Sequence, residues 1–260
     1  MSIAVPPSIP PLPARELVAR TYQDVIANRD GLVRIGLPWL IGPFVLNVLG
    51  TAIEGIVVSL LADLASFVGL SAIAVAWHRH VILGEPLAGP LAPVNGRVGR
   101  YLLLGVLVSL LASVPGILIV SVVGAVTGIG EEASLASLLA LAAAFFAAVM
   151  VFARLQLVFP SVAIGDPAGL RGSWQMTRGN GGRLLSGLLL TILPVIGAVL
   201  LAQLIGAAFN GLGAAKAGAF LALAAASVGS WLQAPLVAAF LSFSYLWFRA
   251  AVGEPAPGTA

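Results

Sequence analysis

Asp63 is the residue whose type and place ask most for a chemical explanation. It lies inside an apolar run, residues 56–77, long enough to cross a bilayer. An ionisable group at that depth costs ~2.5–3.5 kcal/mol on insertion scales, so it is expected to face the interior of a helix bundle. Measured from the basic end of its helix, Asp63 falls at ~21–24 Å, Asn47 at ~20 Å and Gln233 at ~21 Å, taking ~1.5 Å per residue. Asn47, Asp63 and Gln233, on the first, second and sixth apolar runs, are therefore a candidate midplane polar site. Its chemistry would be ligand coordination or proton passage. The plainer alternatives are an interhelical clasp, with each hydrogen bond contributing ~0.6 kcal/mol, and a later start to the second span that leaves Asp63 simply near water.

A second group lies at the ends of the apolar runs. Residues 151–183 form the longest polar interruption, carrying Arg154, Arg171, Trp174, Arg178 and Arg183. Arg79 and Arg249 end two other runs beside Trp77 and Trp247. Arginine suits bidentate contact with phosphate, and Leu170 and Trp174 can dip into an interface. Arg79, Arg154, Arg171, Trp174, Arg178 and Arg249 are thus candidate contacts to anionic lipid head groups. Ordinary interfacial anchoring explains the same residues. No catalytic set stands out, and neither a metal site nor a cofactor is expected. His78 and His80 are two apart at a membrane edge and would point to different sides of a helix. With no Cys in the chain, thiolate ligands and a Cys nucleophile are excluded.

These residues need membrane-spanning elements to hold them. Of 260 residues, 60% are hydrophobic and 9% charged, far below the quarter or so that covers a soluble domain. The pattern predicts an all-α polytopic membrane protein in one transmembrane domain, residues 1–260. Six spans are expected at about 35–53, 56–77, 101–126, 134–153, 184–209 and 220–247, the third broken at Pro115-Gly116. Residues 1–13 read as a disordered, proline-rich lead without the basic n-region of a signal peptide. Ala14–Ala27 is amphipathic: Leu17, Val18, Thr21, Tyr22, Val25 and Ile26 form one stripe against Arg15, Glu16, Arg20, Gln23 and Asp24. It predicts an interfacial helix in the membrane plane, or one packed on the chain's own loops.

With six spans, all twelve arginines fall on one side and Lys216 on the other. The positive-inside rule then places both termini in the cytoplasm. Glu54, Glu131 and Glu132 mark the outer turns. The basic residues are scattered singly, so nucleic acid is not an expected partner; membrane lipids are, and a membrane-protein partner or a second copy is a candidate. The arginine excess over lysine points to a GC-rich bacterial genome, hence the bacterial inner membrane.

The spans also read as three two-helix repeats. Each odd span opens near an asparagine, Asn28, Asn95 or Asn180. Each even span closes on aromatic-x-Arg followed by Gly-acid-Pro: Trp77 and Arg79 with Gly84-Glu85-Pro86, Phe152 and Arg154 with Gly165-Asp166-Pro167, Trp247 and Arg249 with Gly253-Glu254-Pro255. Two-span copies keep their orientation, as in parallel-repeat transporters.

The arrangement of Arg154, Pro160, Asp166, Ser173-Trp174, Thr177 and Gly179-Asn180 resembles the YciC-like bacterial inner-membrane family. It is also similar to the membrane domain that precedes some bacterial glycerophosphodiester phosphodiesterases. The motif covers residues 154–180 and the six-span outline covers the rest. The resemblance implies a helical membrane fold and an inner-membrane address. No hydrolase activity follows, because the phosphodiesterase barrel is not in this chain. The functional expectation is a non-enzymatic membrane protein acting in envelope or lipid organisation or as a partner subunit. The alternative is a small permease working through Asp63. Three parallel helix pairs resemble the mitochondrial carriers, whose signature motif this chain lacks.

Overall fold

The structure is a computed structural model that describes residues 9–53, 55–127, 135–166 and 169–253. Glu54, Glu131, Glu132, Pro167, Glu254 and Pro255, which the sequence reading used for turns, lie outside the described residues. The elements are α1 (Ala14–Ala27), α2 (Arg29–Ala52), α3 (Ile56–Leu83), α4 (Gly96–Thr127), α5 (Leu135–Leu155), α6 (Val158–Ile164), α7 (Gly169–Met176), α8 (Gly181–Gly211) and α9 (Ala215–Ala251). Six of them contain stretches long and apolar enough to cross a bilayer: α2, α3, α4, α5, α8 and α9. The chain is an integral, multi-pass membrane protein.

Several helices run a turn or more beyond the expected spans at the arginine-bearing end. α2 begins at Arg29, α4 at Gly96 and α3 runs to Leu83. Backbone hydrogen bonding continues into water at no extra cost, whereas hydropathy marks only the part inside lipid. Gly84, at φ 68°, ends α3 in the left-handed region, where glycine bears no Cβ penalty. The break expected at Pro115 is absent: α4 passes through it, as α2 passes through Pro38 and Pro43. A proline forfeits one backbone bond, and apolar flanks in lipid have no alternative to helix.

Consecutive long helices pack as hairpins, α2 with α3, α4 with α5 and α8 with α9. Small residues allow the close approach. A Cβ on Gly218 would stand 2.2 Å from the Gly206 carbonyl oxygen. α3 then packs across α9 and joins the first hairpin to the third.

The packing is uneven along the bundle. The largest fully buried side chains include Trp77, Ile35, Ile73, Phe240, Tyr245 and Phe248, all towards the arginine-bearing end. The short helices gather there too. α6 packs on α3 and α4, α7 on α5 and α6, and α1 on α8 and α9. Residues 151–183, read from sequence as a polar interruption, are thus largely helix among the described residues.

α1 covers the residues its sequence predicts, and part of its apolar stripe packs on the chain itself. Leu17, Thr21 and Val25 are buried against α8 and α9, while Ile26 is exposed. Tyr22 Oη donates to the Thr191 carbonyl at 2.7 Å, and burial raises its pKa above the usual phenol value. Pro10 and Leu12 of the lead are held by the bundle. Leu12 is fully buried, its N–H donates to Asn180 Oδ1 at 2.8 Å, and Asn180 Nδ2 donates to the Pro10 carbonyl at 3.0 Å. Composition predicted disorder because it does not reveal a partner 168 residues away.

Gly218→Ala is expected to lower stability by about 1–3 kcal/mol, since backbone on both sides cannot yield. Gly42→Ala, with nothing within 4 Å of its Cβ position, should be neutral or slightly stabilising. Thermal unfolding midpoints in detergent separate the two.

Candidate functional site

The far halves of α2, α3 and α9 enclose a cavity of about 260 Å³. Helical spacing explains its walls. α3 contributes Asp63, Ser66 and Leu70, at i, i+3 and i+7. α2 contributes Trp39, Leu40, Pro43, Phe44 and Asn47; α9 contributes Leu223, Ala226, Ser227, Ser230 and Trp231. Each set is one stripe of a helix. Asp63 is exposed, so the cavity is open at that wall.

Trp39 and Trp231 form the side of the cavity nearer the arginine-bearing end. Trp39 lies on Gly69, where a Cβ would stand 2.5 Å from its ring, and Trp231 lies on Gly36 at 2.5 Å from its Nε1. The missing side chains are what seat both indoles. Trp39 Nε1 donates to the Ala92 carbonyl at 3.2 Å. Phe44 is steadied edge-on by Phe220, with centroids 5.6 Å apart. Beneath them Ile35 and Ile73 are buried in the core.

The polar groups of this cavity have valences to spare. Ser227 Oγ donates to the Leu223 carbonyl at 2.9 Å. Among the described residues, no protein group bonds the side chains of Asn47, Asp63, Ser66 or Ser230. Trp231 Nε1 is buried without a hydrogen-bond partner. Asp63 forms no ion pair with any described residue, and no Lys, Arg or His lines the cavity.

Of the three polar residues matched by depth, the structure brings Asn47 and Asp63 to one cavity and leaves Gln233 outside it. Equal depth does not fix azimuth. Gln233 follows Trp231 by two residues, roughly 200° around the helix, so it presents to another side. Asp63 stands seven residues from the start of α3, ~10 Å from that end, and so nearer the far face than the centre. Trp39, Phe44, Ser66, Ser227, Ser230 and Trp231 were not singled out from sequence. Phe44 and Ser66 stand three residues from Asn47 and Asp63, and Ser227, Ser230 and Trp231 fall at i, i+3 and i+4 on α9; that spacing was the available signal.

The arginine-bearing end has a different character. Arg79 pairs with Glu85 and donates to the Ala163 carbonyl at 3.1 Å. Arg249 pairs with Asp166, which also accepts from Tyr245 Oη. Arg154 stacks on Trp174 at 3.6 Å from the ring centroid, and its Nη2 donates to the Trp174 carbonyl at 2.7 Å. These three arginines, expected at lipid phosphates, are engaged by protein, because α6, α7 and the 84–95 loop fold back over the helix ends. Arg171, Arg178 and Trp174 are exposed. The Arg154 carbonyl accepts from Ser173 Oγ at 2.8 Å and Thr177 Oγ1 at 3.2 Å. The motif residues 154–180 thus largely serve to close this end of the bundle.

His78 is fully buried rather than interfacial. Ser242 Oγ gives its hydrogen to the Ala238 carbonyl, so His78 Nδ1–H donates to that oxygen at 2.8 Å. Tyr101 Oη then faces the accepting Nε2 at 3.4 Å. Trp77, expected in an interfacial belt, is buried and donates to Asp24 at 3.0 Å. The three asparagines at repeat-equivalent positions differ. Asn95 Oδ1 caps α4 through the N–H of Arg97 at 3.0 Å, Asn28 bonds back to Asp24, and Asn180 ties the lead.

Asp166→Asn and Arg249→Ala are each expected to cost about 2–4 kcal/mol, since both side chains are largely buried and each removal takes the opposite charge away from the other. The double variant should lose less than the sum by about 1–3 kcal/mol. A double-mutant cycle on thermal unfolding measures the coupling, and strict additivity would show that the pair does not hold the end together.

No family model matches the chain, and no curated protein and no solved structure matches it. What the site can do follows from its own geometry.

Proposed function

We propose that this chain is a non-enzymatic membrane protein of the small-permease type, which carries a small ligand in the cavity between α2, α3 and α9. One observation supports the reading above the others: Asp63 and Asn47 open into a shared cavity of about 260 Å³ with no protein partner for their side chains among the described residues. That volume is close to the lower end of the roughly 300–1,000 Å³ of small-molecule sites. By the positive-inside rule the arginine-bearing end belongs in the cytoplasm, so the cavity lies towards the outer leaflet and its aromatic side separates it from the cytoplasm. The bacterial inner membrane and the YciC-like resemblance of residues 154–180 are part of the same proposal. The three hairpins are in keeping with a triplicated origin, although their equivalent residues make different contacts.

A second reading applies to the opposite face. Trp174 is 40% exposed beside the exposed Arg171 and Arg178, an arrangement suited to an anionic leaflet. Co-purified anionic lipid should fall when Arg171 and Arg178 become Ala. Unchanged lipid content would remove this reading without touching the cavity.

The absence of cysteine makes the permease reading directly testable. Ser227→Cys and Asn47→Cys should react with a small charged methanethiosulfonate at least about tenfold faster than Leu110→Cys, because only a hydrated thiol ionises. Leu110 is 61% exposed on the outside of α4. Ser227→Cys should also be reachable from either face of the membrane. Reaction from one face alone would exclude transport, and a thiol as inert as that at position 110 would exclude a hydrated cavity.

A further inference from the structure

The cavity's electrostatics go further than its existence. Resting on the reading of the cavity as a ligand site, we propose that its ligand is a monovalent organic cation, an amine or quaternary ammonium bearing an apolar substituent. Charge is the first argument. Among the described residues, Asp63 is the one ionisable side chain in the lining, with no cationic residue beside it. An anion there would meet a carboxylate at short range and no counter-charge.

The walls supply the second argument. Trp39, Phe44 and Trp231 contribute three aromatic rings to a cavity this small. Aromatic faces attract cations through their quadrupole, by up to about 2 kcal/mol where water is excluded, and this is the usual means of holding quaternary ammonium groups. The third argument excludes the metal cations. Ca²⁺ takes about six to eight oxygen ligands and Mg²⁺ an octahedral set. Here one carboxylate stands with an amide and hydroxyls among indoles. A diffuse charge on a carbon framework matches that mixture, and the free Asn47 and Ser230 side chains can bond an N–H or hydroxyl of the ligand.

The test uses the full chain in lipid nanodiscs and two probes of one shape. One is benzyltrimethylammonium; the other is its uncharged isostere, neopentylbenzene. Saturable binding is read by titration of tryptophan fluorescence. The cation is expected to bind about tenfold more tightly than the isostere, in line with one desolvated charge pair or cation–π contact. Asp63→Asn should erase the preference. Asp30→Asn, at an exposed pair with Arg29 outside the cavity, should keep it. Equal saturable affinities in the unmodified protein, or a preference that survives Asp63→Asn, would overturn the cation assignment and leave the cavity as a binding site. Saturation by neither probe would overturn the ligand-site reading together with this inference.

Discussion

A guanidinium at the end of an apolar helix must be satisfied by water, lipid phosphate or protein, and in this molecule protein supplies the partners for three of them. Arg79 takes Glu85, Arg249 takes Asp166 and Tyr245, and Arg154 takes Trp174 and its carbonyl. The rest of the bundle follows from these ties. Asp166 belongs to the turn after α6 and Trp174 to α7, so the segment after the fourth span is drawn over the ends of the third hairpin. α1 and the lead close the same end from the other side through Leu12, Tyr22 and Asn180. At the far end the helices are held mainly in pairs, by close approaches such as Gly206 to Gly218. Helices fastened at one end and only paired at the other leave room between pairs, and the cavity lies where α2 and α3 diverge from α9.

The two ends are nevertheless linked. The loop between α3 and α4 carries Glu85, the partner of Arg79, and also Ala92, whose N–H donates to the Ile35 carbonyl at 2.9 Å. The Ala92 carbonyl in turn accepts from Trp39. The indole on the inner side of the cavity is therefore positioned by a loop at the arginine-bearing end. Movement of that loop would shift Trp39 off Gly69, where no Cβ obstructs it. A carrier needs some such mechanical route from one face to the other.

Much of the architecture was legible in the sequence because a bilayer admits so few solutions. Apolar length identified the spans, and the arginines marked one end. Legibility stopped where azimuth or long-range contact decides the outcome. Depth placed Asn47, Asp63 and Gln233 together, whereas the cavity takes in the first two and not Gln233, and the tryptophans beside them read as ordinary apolar content. Arg79, Arg154 and Arg249 looked equivalent in the sequence. Their partners come from different places, and Arg249 pairs with the acidic residue that follows Arg154's helix. Repetition in sequence predicted like contacts, whereas closing a bundle of six unlike neighbours required different ones.

The remaining choice for Asp63 is between a ligand group and a structural clasp, and the hydrogen bonds decide which reading the geometry favours. A clasp offsets the cost of an intramembrane carboxylate by bonding across helices. Here the side chains of Asp63, Asn47, Ser66 and Ser230 face one space, yet among the described residues none bonds another. Elsewhere in the same bundle polar side chains do satisfy one another, as His78 does with Ser242 across α3 and α9. The sequence can build a clasp and does so where the packing is tight. A carboxylate left open in a space bounded by indoles gains nothing for stability, so what offsets its cost has to come from outside the chain, as water or as a ligand of opposite charge.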